Sequence, residues 1–367
     1  MKAVIESKKY LPYEPDYAVP PGRTLLETLE HREIDQHELA QRIGVSAKHV
    51  NQIIVGNASI TFETALKLES ATGVPARFWN NLERNFQERR ARVVQRTRLA
   101  ADLNWLECIP TKELADRRAI KPTSNPVEFL ERVLAFFGVA DVEAWRRIWT
   151  EPRFSFRQSP AFKARPGPLA AWLRLGQVEA HRLQCEPYSP TRFKTALVEI
   201  RGLTLKDPKV FVPRMVDLCA TSGVALALIP EMAGAPVSGA AQWITPDKAM
   251  ICLNLRGKTN DKFWFNFFHE ACHVLKHGKK QPFLDVGPSK RGDLLEQEAD
   301  RFASETLIPS QKAGEVVAIT SEAEVQMLAK SLGVHPGIVV GRFQYETRRF
   351  THFNHLKLKL AWAEPKS

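Results

Sequence analysis

At 367 residues the chain exceeds what one hydrophobic core ordinarily organises, which disfavours a single domain and points to two or three. Its 44% hydrophobic and 25% charged content excludes the disordered, collagen-like and disulfide-stapled classes. Lys and Arg (52) outnumber Asp and Glu (41), and the resulting charge of +11 attracts polyanions and raises nucleic acid as a partner.

The five cysteines, Cys108, Cys185, Cys219, Cys252 and Cys272, are odd in number and contain no C-x-x-C pair, so neither a disulfide framework nor a cysteine zinc knuckle is expected. The opening residues MKAVIESKKYLPYEPDY lack the apolar core of a signal peptide, and the most apolar run, Val224 to Ile229, stops at Pro230 and Glu231. A cytoplasmic protein with no membrane partner is expected.

An arm over 1–19 precedes closely spaced helix signals over 20–88. Gly22 leads into a helix with Leu25, Leu26 and Leu29 on one face. Asp35 can cap a second helix, Gln36 to Ile43, that ends at Gly44, and Ser46 can cap a third, Ala47 to Val55, that ends at Gly56. Thr61 caps a fourth helix running to Gly73, and Pro75 opens a fifth. The short turn Gly44-Val45-Ser46 predicts a helix-turn-helix whose second helix enters the major groove. Its outward residues are Ala47, Lys48, His49, Asn51 and Gln52. Asn and Gln can pair with adenine, Lys with guanine, and Ala can meet a thymine methyl, while Gln36 would lie over the phosphates.

The segment from Pro20 to Phe86, PPGRTLLETLEHREIDQHELAQRIGVSAKHVNQIIVGNASITFETALKLESATGVPARFWNNLERNF, resembles the Cro/XRE helix-turn-helix of HigA-type regulators. The resemblance implies a homodimer on a palindromic double-stranded DNA operator.

Arg84, Arg89, Arg90, Arg92, Arg96 and Arg98 then form a basic helix that either follows phosphates or links domains. The region 89–206 reads as this linker and a helical middle part that sets the distance between the chain's ends, with Trp105, Trp145, Trp149 and Trp172 as core.

From Val224 the pattern changes to the short runs VALALI, SGAAQWIT and KAMICLNL, the last two parted by Pro246 and Asp247, which predicts strands with a hairpin. A helix from about Asn260 follows and carries H-E-x-x-H at His269, Glu270 and His273. Residues four apart share a helix face, so His269 and His273 can bind one zinc ion. Glu270, rotated to the next sector, can act as the general base on water.

A catalytic zinc needs a third protein ligand. On a straight helix His277 would stand about 12 Å along the axis from His269, too far to share the ion. It suits an outer contact or the helix C-terminus better. Glu298 lies on a second amphipathic helix, packed through Leu294, Leu295, Phe302 and Leu307, and Glu296 is its nearest rival. From about Asp207 to beyond Pro309 the chain resembles the ImmA/IrrE zinc metallopeptidases, whose second helix bears an E-A-N-x-F-A motif. The matching residues are Glu298, Ala299, Asp300, Phe302 and Ala303, with Asp for Asn, and the resemblance implies Glu298 as third ligand. For a transition-state stabiliser, His277 and Tyr345 are candidates.

Ser321 and Glu324 spell a capping box, and LAKSLGVHPGIVVGRF echoes LAQRIGVSAKHVNQI. Pro336, Gly337, Ile338 and Val340 stand where base readers would be, so the echo is expected to be a packing hairpin. Arg348 to Lys359 reads as a basic solvated strand or tail, with 351–367 as the tail segment.

The expected fold is mainly α with a small β-sheet (α+β): an all-α five-helix domain over 20–88, a helical middle region, and a zincin-like metallopeptidase domain over 207–350. The expected function is a DNA-binding transcriptional regulator that holds one zinc ion per chain and hydrolyses a peptide bond in a partner or repressor protein. The resemblance implies another helix-turn-helix protein or a segment of this chain as substrate, and the cognate partner is another helix-turn-helix protein or a toxin. The alternatives are a non-catalytic antitoxin-like autoregulator with a structural or sensory zinc, and the peptidase toxin of a toxin–antitoxin pair.

Overall fold

The computed structural model describes residues 17–150, 166–278, 283–285 and 294–363. The N-terminal arm therefore lies almost wholly outside the described residues. The chain divides into two compact units, Met1–Leu103 and Asn104–Ser367.

Among the described residues the first unit holds only helices: α1 (Gly22–His31), α2 (Gln36–Ile43), α3 (Ala47–Ile54), α4 (Phe62–Thr72) and α5 (Ala76–Ala100). Its boundaries follow from capping chemistry. Asp35 accepts the Glu38 amide at 2.7 Å, Ser46 that of His49 at 3.1 Å and Thr61 that of Thr64 at 3.1 Å. Gly44, at φ 68°, ends α2 in the left-handed conformation. Leu25, Leu29, Leu39, Ile43, Val50, Ile53, Leu68 and Trp79 form the core. Only glycine fits at 22, because a Cβ there would lie 2.1 Å from the Ile53 carbonyl oxygen. Helix α5 does not end near residue 88 but runs unbroken to Ala100, so most of the arginine-rich segment belongs to this unit.

In the second unit, α6 (Thr111–Asp116), α7 (Pro126–Phe137), α8 (Val142–Thr150) and α9 (Pro166–Arg182) lead to α10 (Pro190–Gly202) and α11 (Pro208–Ala220). Trp105 and Trp145 meet edge to face at 5.2 Å, and Phe137 packs on Trp145 and Trp149, each at 5.7 Å. The sheet comprises β1 (Val224–Leu228), β2 (Gly239–Thr245), β3 (Lys248–Leu253) and β4 (Phe283–Asp285), in the order β1-β3-β2-β4. β1 and β3 are parallel; β2 is antiparallel to both β3 and β4. The middle region is no spacer. Helix α9 lies directly on this sheet: a Cβ at Gly176 would come 2.7 Å from Cys252 Sγ, and the Trp172 indole donates to the Ile229 carbonyl at 3.3 Å.

Next come α12 (Asn260–Lys276), α13 (Leu294–Leu307), α14 (Ala313–Val317), α15 (Glu322–Leu332) and α16 (Pro336–Thr347). Phe263, Trp264, Phe267, Phe268 and Ala271 of α12 are buried with Leu226, Ile251 and Leu253 of the sheet. This burial explains why a helix carrying two histidines and a glutamate is so apolar: it forms the centre of the unit. Ser321 and Glu324 form the capping box, and the α15–α16 turn reproduces the α2–α3 turn, with Gly333 at φ 65°, ψ 38° against Gly44 at φ 68°, ψ 41°. Yet Ile338, Val339, Val340 and Phe343 of α16 are buried, and Gly337 and Gly341 abut Asn260 and Asp261 of α12.

The described residues after α16 are not a solvated tail. Lys357 pairs with Asp261 at 2.7 Å, the Leu358 amide donates to Asn260 Oδ1 at 3.1 Å, and Leu360 is buried. The positive charge at 357 is thus used internally, to fix the start of α12. Among the described residues no helix is long and apolar enough to cross a membrane.

Candidate functional site

In the first unit, Ala47, Lys48 and Asn51 are exposed, and His49 and Gln52 are half-buried along the same face of α3. Val50 and Ile53 hold that helix to the core from behind. Gln36, also half-buried, is the first residue of α2, where free backbone N–H groups favour an anion. The residues expected to read DNA therefore share one capped, well-packed hairpin.

The second unit gathers a different set. His269 Nε2 lies 3.1 Å from His273 Nε2 and 3.1 Å from Glu296 Oε2, and His273 Nε2 is 3.6 Å from Glu296 Oε1. One ligand atom from each of His269, His273 and Glu296 falls within 4.8 Å of the others. Glu296 thus replaces Glu298 as the third member. Glu298 points elsewhere, to Lys276 Nζ at 2.8 Å and His277 Nε2 at 3.3 Å.

Each ring is also engaged through its other nitrogen. His269 Nδ1 lies 3.0 Å from Asp300 Oδ1, and His273 Nδ1 lies 2.7 Å from His277 Nδ1. Asp300 supplies the acceptor that a neutral amide oxygen could also supply, so the Asp-for-Asn exchange preserves this role. A proton held on Nδ1 turns the Nε2 lone pair inward. Two imidazole lone pairs and a carboxylate facing one another repel unless a cation lies between them, and this donor set fits zinc.

His277 has left the helix. Its backbone is extended (φ −98°, ψ 148°), and its ring folds back to 4.8 Å from that of His273, with the side chain only 2% exposed. It stands behind His273, on the side away from the cluster, and so is misplaced to stabilise a reacting carbonyl. Tyr345 is exposed, with its ring against Arg348 at 5.0 Å.

Glu270 is fully buried on the side of α12 that meets the sheet. A Cβ at Gly239, the first residue of β2, would lie 2.5 Å from Glu270 Oε1, so glycine is what admits the carboxylate. Burial lowers the His273 pKa. Burial also opposes ionisation of Glu296, but without a metal, hydrogen bonds from His269 and His273 protonated on Nε2 prevail and hold its carboxyl down at about 2. The Glu298 carboxyl is lowered first by Lys276 and then by His277. The charged form of Glu296 is the one a metal requires.

Two families match the chain. A helix-turn-helix of the Cro/XRE type covers residues 25–79, and a peptidase family described as the IrrE N-terminal-like domain covers 227–343. No curated protein matches. A crystal structure from Nostoc punctiforme, described as a candidate antidote protein of a plasmid maintenance system, is 30% identical over 20% of this chain and 81% of its own, with a TM-score of 0.20.

Proposed function

Since the chain carries a Cro/XRE-type helix-turn-helix domain and an IrrE N-terminal-like peptidase domain, we propose that it is a cytoplasmic DNA-binding regulator that hydrolyses a peptide bond in a partner protein. The observation that carries the reading is the convergence of His269, His273 and Glu296 beside a buried Glu270. In this reading the three side chains hold one zinc ion, which supplies Lewis acidity toward a carbonyl and water. Glu270 takes the proton of the attacking water on its carboxylate and returns it to the departing amine nitrogen. Gly239 keeps that carboxylate in place beneath the strand.

Lys48, Asn51 and Gln52 read the operator in the major groove, and the domain acts as a HigA-type homodimer. The substrate best suited to this arrangement is a second helix-turn-helix protein encoded beside the chain, because cleavage would then change the same transcriptional output that the first unit binds. A second reading, a regulator with a structural or sensory zinc, is favoured by the near-complete burial of His269, His273 and Glu270.

Incubation of the zinc-loaded full chain with neighbouring helix-turn-helix proteins separates the two. Cleavage by the wild type and none by Glu270→Gln, with zinc retained in both, supports the peptidase; retained zinc without cleavage supports the second reading. For the DNA unit, Lys48→Ala combined with Gln52→Ala should abolish specific operator binding in a mobility-shift assay, since each lost pairing is worth about 1–3 kcal/mol.

A further inference from the structure

We infer that His277 and Glu298 are a positioning pair that fixes the proton, and hence the orientation, of His273 as a metal ligand. The inference deepens the site proposed above and rests on that reading.

The argument is one of hydrogen-bond direction. The Nδ1 atoms of His273 and His277 are 2.7 Å apart, so one must donate and the other accept. A neutral imidazole carries one N–H. If His273 donates, its Nε2 keeps a lone pair for the metal, and His277 must carry its own proton on Nε2. That nitrogen lies 3.3 Å from Glu298 Oε2, which can only accept while ionised. The order then runs unbroken from carboxylate through His277 to His273.

The reverse order places the His273 proton on Nε2, where it can donate to His269 Nε2 at 3.1 Å but leaves no lone pair for a metal, and with a neutral His277 it sets a bare lone pair against the Glu298 carboxylate. Lys276 Nζ, 2.8 Å from Glu298 Oε1, holds that carboxylate from the far side. His269 achieves the same with one group, since Asp300 meets its Nδ1 directly. His273 faces its carboxylate through an intervening ring, because the chain leaves the helix at His277 and returns that ring behind it.

The test measures zinc affinity of the full chain by competition with a chromogenic chelator, alongside side-chain 1H–15N correlation spectra of the zinc-loaded protein. Loss of an outer partner of a ligand histidine weakens metal binding by about 10–100-fold. Glu298→Ala and His277→Phe should both show such a loss with unchanged circular dichroism. The wild type should show His277 protonated at Nε2, and Glu298→Ala should show mixed tautomers. Glu298 is half-exposed, so its variant remains informative even if His277→Phe fails to fold. Wild-type affinity in Glu298→Ala, or a His277 proton found on Nδ1, overturns the inference. Failure of the underlying site looks different: there the wild type itself retains no zinc, or Glu296→Gln binds it as tightly as the wild type.

Discussion

Glu296 and Glu298 stand two positions apart on α13, and helix angle decides which one meets the histidines. At about 100° per residue, Glu296 and Asp300 project within about 60° of Ala303, whereas Glu298 lies about 140° away. Ala299, Ala303 and Leu307 are the buried residues of this helix, while Leu294 and Leu295 are exposed. The larger leucines suggest the wrong packed face. The alanine stripe, which lets α13 approach α12 closely, identifies Glu296. The same residue-scale logic applies to Gly239. Its substitution by Ala should push the Glu270 carboxylate aside and lower kcat/KM on the order of 100-fold, with zinc stoichiometry unchanged, because misplacement by about 1 Å has that cost in an organised site. Unaltered kcat/KM would mean that Gly239 does not set the position of the Glu270 carboxylate.

Among the elements, α2 and α3 were legible because Asp35, Gly44 and Ser46 act locally: each satisfies backbone groups within three or four residues of itself. Glu83 was not legible. It is buried in α5 and accepts the Ile60 amide at 3.0 Å, 23 residues away, tying the loop before α4 to the long helix. Glu83→Ala leaves that amide without its acceptor and should destabilise the first unit by about 1–3 kcal/mol, read as a lower unfolding midpoint in urea.

At the start of α16, His335 Nδ1 accepts from the Gly337 amide at 3.0 Å and from Asn260 Nδ2 at 2.9 Å. The second donor is fixed by Asn260 Oδ1, which itself accepts the Leu358 amide. Burial lowers the His335 pKa below its ordinary 6.5, so the unfolded chain binds the proton first. The cap's contribution is therefore full above pH ~6.5 and is lost as pH falls from there through the folded-state value. Stability of the wild type relative to His335→Asn, which caps without titrating, should decline over that interval; a pH-independent difference would contradict the assignment.

For the whole molecule, the second unit extends well beyond the residues that carry the peptidase signature. Helix α9 covers the sheet through Trp172 and Gly176, and the C-terminal segment clamps α12 through Lys357 and Leu358. A chain starting at residue 104 should therefore fold cooperatively and bind zinc. One starting at residue 207 should expose the β1–β3 face and aggregate, as light scattering and circular dichroism would show. Equal solubility of the two fragments would mean that α9 is dispensable.

By itself the sequence determined the helix-turn-helix, the small sheet, the H-E-x-x-H helix and the packing role of the second hairpin, because each is written in spacing and capping over a few residues. Only the tertiary structure decided that Glu296 rather than Glu298 joins the histidines, that His277 stands behind His273, and that the middle and C-terminal segments complete the unit around α12. Those outcomes depend on which faces meet and where the chain turns. Contacts between residues far apart in sequence set both, and the one local trace of them is the alanine stripe on α13.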